Sequence, residues 1–128
     1  MNNKLTIIGN YSNDFNKLLG LNIEFEDIYL DKEGLAIHMT KRKHLNCLQF
    51  IEDIPEIIEK PDYIGVNPNE SGGETIELIK QLGDINVLIG IKTNRKQNYL
   101  YVATMYDVTS KIRQRLHSGR IKIFSKSN

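Results

Sequence analysis

The stretch Thr75-Ile76-Glu77-Leu78-Ile79-Lys80-Gln81-Leu82-Gly83-Asp84-Ile85-Asn86-Val87-Leu88-Ile89-Gly90-Ile91-Lys92 decides the fold class. It holds two strand-length runs rich in Ile, Leu and Val, broken by Gly83-Asp84, a pair with hairpin character. In the second run Ile85, Val87, Ile89 and Ile91 recur every two residues, which predicts one apolar strand face with Lys92 on the other. A third run, Leu100 to Tyr106, comes after Asn94-Arg95-Lys96-Gln97-Asn98, so a meander of antiparallel strands is expected.

Toward the C-terminus the period lengthens. Val108, Ile112 and Leu116 recur every four residues, the apolar stripe of a short helix, while Arg113 and His117 share a different stripe. Gly119 is placed to end that helix, and Ile121 to Phe124 suit a last strand.

Toward the N-terminus, Lys4 to Ile8 suits a first strand. Ser12 or Asn13 would cap a brief helix with Phe15, Leu18 and Leu19 inward and Gly20 at its end. Phe25 to Leu30 reads as a strand and Asp31-Lys32-Glu33-Gly34 as a turn. Leu35, Ile37 and Met39 then alternate with Ala36, His38 and Thr40, which predicts a second strand and a hairpin. Lys43 to Phe50 reads as a helix with Leu45, Leu48 and Phe50 inward. Pro55 would start another, carrying Ile57 and Ile58, before Lys60-Pro61 halts it. Asp62-Tyr63-Ile64 leads into Asn67-Pro68-Asn69 and Ser71-Gly72-Gly73, expected to be an exposed loop. Helices early and strands late describe an α+β domain spanning residues 1–128, with an N-terminal hairpin and helices packed on one face of a curved, mainly antiparallel sheet.

At 128 residues, 40% hydrophobic and 26% charged, the chain has the length and composition of one ordinary globular domain. No apolar run approaches the roughly 20 residues that span a bilayer, and the N-terminal residues do not read as a signal peptide. The single cysteine, Cys47, has no internal disulfide partner and lies in an apolar pattern, as a buried structural thiol would. A cytoplasmic setting without a membrane partner is the expectation.

Charge is unevenly spread. Residues 1–64 carry 7 Lys/Arg against 11 Asp/Glu, and residues 65–128 carry 10 against 5. The last twenty hold Lys111, Arg113, Arg115, Arg120, Lys122 and Lys126 with no acid, the one-sided positive field that a polyanion-binding surface requires.

Signatures for phosphate-cradling glycine loops, zinc-binding cysteine pairs and nucleophile elbows are absent. His38, His44 and His117 lack the spacing of a metal site, and neither a metal nor another cofactor is expected. The segment His38-Met39-Thr40-Lys41-Arg42-Lys43-His44 instead pairs two groups that titrate near neutrality, with three cations between them. Such a pair can supply base and acid to one reaction, and Arg42 and Lys43 would hold a phosphate. Lys92 is a charge at the end of an apolar strand, Thr104 and Tyr106 offer two hydroxyls on one strand face, and Arg113, His117 and Arg120 belong to the basic C-terminal segment. These groups match the needs of RNA transesterification: a base for the 2′-hydroxyl, an acid for the 5′-oxygen, and cations for the charged transition state.

The run His38 to His44, Ile54-Pro55-Glu56-Ile57-Ile58, Pro61-Asp62-Tyr63-Ile64, Val87 to Lys92 and Val102-Ala103-Thr104-Met105-Tyr106 is similar to the phage-associated barnase–EndoU–colicin–RelE-like nuclease families, over roughly residues 25–124. The resemblance implies a metal-independent endoribonuclease, phage-encoded or a toxin, with RNA as substrate and room for a neutralising antitoxin or immunity protein as partner. It implies that His38 and His44 form the early histidine motif, Lys92 the strand lysine and Thr104 the strand hydroxyl. Arg113, His117 and Arg120 correspond to a basic element near the end. His44 as base and His38 as acid is the working assignment, which the residues alone do not fix.

Two other classes fit parts of the chain. Tyr99 and Tyr101, beside Arg95 and Lys96, would stack on bases in a non-catalytic binding module. Glu24, Glu26, Asp27, Asp31 and Glu33 would meet a basic protein partner.

Overall fold

The computed structural model describes residues 5–67, 75–94 and 96–124. The expected strand start at Lys4, the loop residues Pro68, Asn69, Ser71, Gly72 and Gly73, and the cations Arg95 and Lys126 lie outside the described residues.

Seven strands form one sheet: β1 (Thr6–Asn10), β2 (Asp27–Leu30), β3 (Tyr63–Asn67), β4 (Thr75–Leu82), β5 (Ile85–Asn94), β6 (Tyr99–Asp107) and β7 (Ile121–Ile123). The spatial order is β1-β2-β6-β5-β4-β3-β7. Every neighbouring pair is antiparallel except β2 and β6, which run parallel through Ile28↔Leu100 and Tyr29↔Tyr101. The fold is α+β, as the strand meander predicts, and Tyr63 begins a strand where sequence predicts only the approach to a loop.

The helices α1 (Asn13–Leu19), α2 (Lys32–Lys41), α3 (Ile54–Glu59) and α4 (Ile112–Ser118) divide between the two faces. Phe15, Leu35, Met39, Ile54, Ile57 and Ile58 from the first three join Leu78, Val87, Ile89, Ile91, Val102 and Met105 in the main core. The opposite face is covered over only part of its area: Ile112 and Leu116 of α4 pack with Val108 and Ile121 on Ile79 and Leu88. Helices on both faces replace the single helical face expected from sequence.

The largest correction falls on residues 31–41. Asp31 does not open a β-turn; it caps α2, its side chain accepting the Gly34 N–H at 2.9 Å. A Cβ at Gly34 would stand 2.7 Å from Asp31 Oδ2, so glycine leaves the cap its room. Leu35 and Met39, four apart, are buried, while Ile37 is 51% exposed. The alternating triplet therefore contains a helical pair, and the cap selects the helix. The antiparallel partner of β2 is β1, with α1 between them. Beyond α2 the chain forms a 3-10 segment, Leu45–Asp53, instead of the expected helix from Lys43 to Phe50; it buries Cys47 and leaves Leu45 55% exposed.

One irregularity in the sheet reorients half of β6. Gly90 pairs with Thr104 but Ile91 pairs with Val102, so β6 carries one extra residue, Ala103, as a bulge. Before it Leu100 and Val102 face the main core; after it Met105 does. Ala103, Thr104 and Tyr106 are thereby all turned to the opposite face, where they line one cleft.

Candidate active site

A cleft of about 300 Å³ opens on the half of that face which α4 leaves bare. Its floor is Thr75 and Glu77 of β4, Gly90 and Lys92 of β5, and Ala103, Thr104 and Tyr106 of β6. Its wall is His38, Arg42 and His44, from the end of α2 and the turn after it.

The wall is built by a helix-ending motif. The His44 N–H reaches the Met39 carbonyl at 2.8 Å and the Lys43 N–H the Thr40 carbonyl at 3.2 Å, with Lys43 at φ 61. This is the Schellman arrangement, with Lys43 in the left-handed position that glycine usually fills. It folds His44 back over the helix end. The helix in turn sets His38 and Arg42 four residues apart on one stripe, so both reach the cleft. A strand at this position would have held them well apart.

The sheet register explains the floor. Gly65, Glu77, Gly90 and Thr104 form one row across β3, β4, β5 and β6. Glycine stands on each side of Glu77. A Cβ at Gly65 would run into the Arg120 carbonyl, and one at Gly90 would meet Thr104 Cγ2 at 2.8 Å and Thr75 Cγ2 at 3.1 Å. One glycine admits the backbone that carries Arg120; the other keeps the cleft open. Arg120 then grips Glu77 with two hydrogen bonds, Nε to Oε1 at 3.1 Å and Nη2 to Oε2 at 3.0 Å, and Arg115 Nη1 lies 3.7 Å from Oε1.

The electrostatics single out His38. Its pKa lies below the ordinary value because of partial burial and, after that, the positive fields of Arg42, His44, Lys92 and Lys41. His44 packs against the Tyr106 ring, centroids 5.3 Å apart, with Nδ1 buried and without a hydrogen-bond partner. Its outward chemistry therefore falls to Nε2. Thr75 Oγ1 is also buried without a hydrogen-bond partner. Burial, with the Asp107 carboxylate adding to it, pushes the Cys47 thiol up to about 11, so at neutral pH it stays an uncharged core group.

Of the residues singled out by sequence, His38, His44, Lys92, Thr104, Arg42 and Tyr106 line this one cleft. Lys43 is exposed at the helix end and is not among the lining residues. Arg113 and His117 are exposed on α4, away from the cleft, because the stripe of Ile112 and Leu116 faces the sheet. Arg120 is engaged with Glu77 and does not itself line the cleft. Thr75, Glu77, Gly90 and Ala103 line it without having been singled out by sequence. Glu77 carries the same signal that draws attention to Lys92, a charge inside an apolar strand. Among the described residues no three His, Cys, Asp or Glu side chains gather to hold a metal ion. No helix among them is long and apolar enough to cross a membrane.

An α+β domain with two histidines, a lysine, an arginine and three hydroxyl side chains around a sheet-floored cleft has the make-up of a phosphodiester-cleaving protein. The chain matches the family described as phage-Barnase-EndoU-ColicinE5/D-RelE like nuclease3 over residues 6–115, and it belongs to that family. Its class is thus that of a nuclease, with nucleic acid as the substrate class. Comparison with curated proteins and with solved structures gives no match.

Proposed function

We propose that the protein is a metal-independent endoribonuclease that cleaves RNA by attack of the 2′-hydroxyl on the adjacent phosphorus. The convergence of His38, His44, Lys92 and Thr104 in one cleft carries this reading. His38 acts as base, since partial burial and, after it, the surrounding cations favour its neutral form; this reverses the assignment made from sequence. It takes the 2′-hydroxyl proton while the O2′–P bond forms. His44 gives a proton to the 5′-oxygen as the P–O5′ bond breaks, leaving a 2′,3′-cyclic phosphate and a 5′-hydroxyl. Lys92 and Arg42 neutralise the charge that builds on the non-bridging oxygens, and the Thr104 hydroxyl donates to one of them. Every proton and charge is handled by a side chain, so the chemistry requires no metal. A toxin-like role, with a neutralising partner protein, is consistent with such an activity.

The test is incubation of end-labelled mixed RNA with the purified protein in excess EDTA, beside a His38→Ala/His44→Ala variant. Cleavage by the wild type alone, with cyclic-phosphate ends, is expected. Equal cleavage by both proteins, or none by the wild type, would sink the reading.

A further inference from the structure

The sheet face that floors the cleft continues past Lys92. Lys92 stands opposite Tyr101 in the β5–β6 register, and Tyr101 stands opposite Tyr29 in the β2–β6 register. Tyr29 alternates with the core residues Ile28 and Leu30, and Tyr101 with Leu100 and Val102, so both tyrosines lie on the cleft side of the sheet. Tyr99, two residues before Tyr101 on the same face, touches both rings: its centroid is 5.2 Å from Tyr29 and 6.0 Å from Tyr101. The interplanar angles are 65° and 62°, so the rings brace one another by their edges without stacking face on face. The Asn94 side-chain amide, opposite Tyr99, donates to the Tyr99 hydroxyl at 3.2 Å and fixes that ring further. All three rings are half-buried.

We propose that Tyr29, Tyr99 and Tyr101 form a base-stacking platform that extends the cleft and selects single-stranded RNA. The proposal rests on the nuclease reading for the cleft itself and adds a second subsite beside it. The Tyr101 row lies two β5 residues beyond the Gly90–Thr104 row, about 7 Å along the strand, within reach of the nucleotide next to the reacting phosphate. Lys92, in the Tyr101 row and also lining the cleft, matches the phosphate that joins the two nucleotides. Aromatic faces accept any base but only an unpaired one, because in a duplex both faces of each base are already stacked. The platform therefore gives strand selectivity with little base selectivity.

The experiment uses the His38→Ala protein, in which chemistry is removed, and measures Kd by fluorescence anisotropy. The probes are a labelled single-stranded 12-mer RNA, a labelled trinucleotide, and the 12-mer annealed to its complement. In the parent, the single-stranded 12-mer is expected to bind best. In a Tyr99→Leu/Tyr101→Leu background its affinity falls about tenfold or more, and its advantage over the trinucleotide collapses. Phe at both positions restores binding, because the ring and not the hydroxyl stacks. Photocrosslinking of a 4-thiouridine 12-mer to the parent protein reads the site without any tyrosine variant, with adducts expected on Tyr29, Tyr99 or Tyr101. Unchanged 12-mer affinity in the Leu variant, equal affinity for the duplex, or crosslinks that avoid these tyrosines would each overturn the platform. A platform that binds in a wild-type protein that never cleaves would instead remove the nuclease chemistry and leave the platform standing.

Discussion

Arg120 holds both carboxylate oxygens of Glu77, at 3.1 and 3.0 Å, across 43 residues of sequence. A basic residue of the C-terminal segment, its side chain 36% exposed, is thereby committed to an ion pair with a residue of the cleft floor. The pair joins the entry to β7 to the centre of β4, with Arg115 as a second, buried cation beside the same carboxylate.

Removing that carboxylate leaves two guanidinium groups close together without the charge that holds them. Glu77→Gln is expected to lower stability by about 1–3 kcal/mol, as loss of charge-assisted hydrogen bonds does, since Arg120 is 36% exposed and reaches water. Arg120→Lys keeps the charge but loses the two-pronged geometry and should cost less. Chemical denaturation of the two variants checks the order; equal and small losses would show that Glu77 is not anchored in this way.

On the proposed mechanism the pH dependence originates at His38. As the proposed base it must be neutral, and its lowered pKa keeps it so to a pH below the ordinary histidine range. The acid limb of kcat/KM is expected there, with activity lost as pH falls through that lowered value. Arg42→Gln removes a nearby cation, so the limb should move to higher pH even though the variant is slower overall. Folding is linked in the same direction. The unfolded chain takes up a proton at the ordinary histidine pKa before the native state does, so His38 makes stability decline as pH falls through this window. An NMR titration of the His38 ring in wild type and Arg42→Gln measures the shift directly; an unmoved or lowered value in the variant would contradict it.

Lys43 offers a clean separation of charge from shape. Its left-handed backbone suits glycine, so Lys43→Gly should leave stability unchanged to within about 1 kcal/mol, the lost strain offsetting the added chain entropy. Lys43→Val, branched at Cβ in the same conformation, should be clearly worse. Thermal melts rank them, and RNA cleavage by the glycine variant reports whether this exposed cation assists the reaction from outside the cleft.

Gly90 can be tested by crowding. Gly90→Ala places a methyl group against Thr104 Cγ2 and Thr75 Cγ2, and overpacking of this kind costs about 1–3 kcal/mol. Cleavage should fall as the Thr104 hydroxyl is displaced. Adding Thr104→Ser removes the closest methyl while keeping the hydroxyl, so the double variant should regain stability over Gly90→Ala alone. Failure of that rescue would place the crowding elsewhere.

How far the sequence is legible depends on each residue's neighbours. Strands β4, β5 and β6 can be read because their apolar periodicity is strong and their joints are short. The helix α2 reads falsely as a strand because Leu35, Ile37 and Met39 satisfy a period of two while Leu35 and Met39 alone satisfy a helix; the deciding contact, Asp31 to Gly34, is a side-chain bond to the backbone. The histidine pair is visible as chemistry without its geometry, since two imidazoles among cations stand out in either secondary structure. Arg113 and His117 do not reach the cleft, and the stripe of Ile112 and Leu116 already turns them outward. The role of Arg120 is beyond the reach of sequence. Nothing local shows that its counter-ion sits three strands of chain earlier, next to a glycine that lets it approach.

Because β6 carries one residue more than β5 across Ala103, the residues it turns to the cleft face are set by parity. Tyr99 and Tyr101 point outward on odd positions, Thr104 and Tyr106 on even ones. Deleting Ala103 would remove the bulge, make Val102 and Thr104 neighbours opposite Ile91 and Gly90, and leave Thr104 and Tyr106 on the cleft face with Met105 in the core. A one-residue loss within the regular run of β5 has no such slack and turns half the strand over. In a collection of randomly shortened variants, single-codon losses should therefore be tolerated around Ala103 and rejected along Val87 to Ile91.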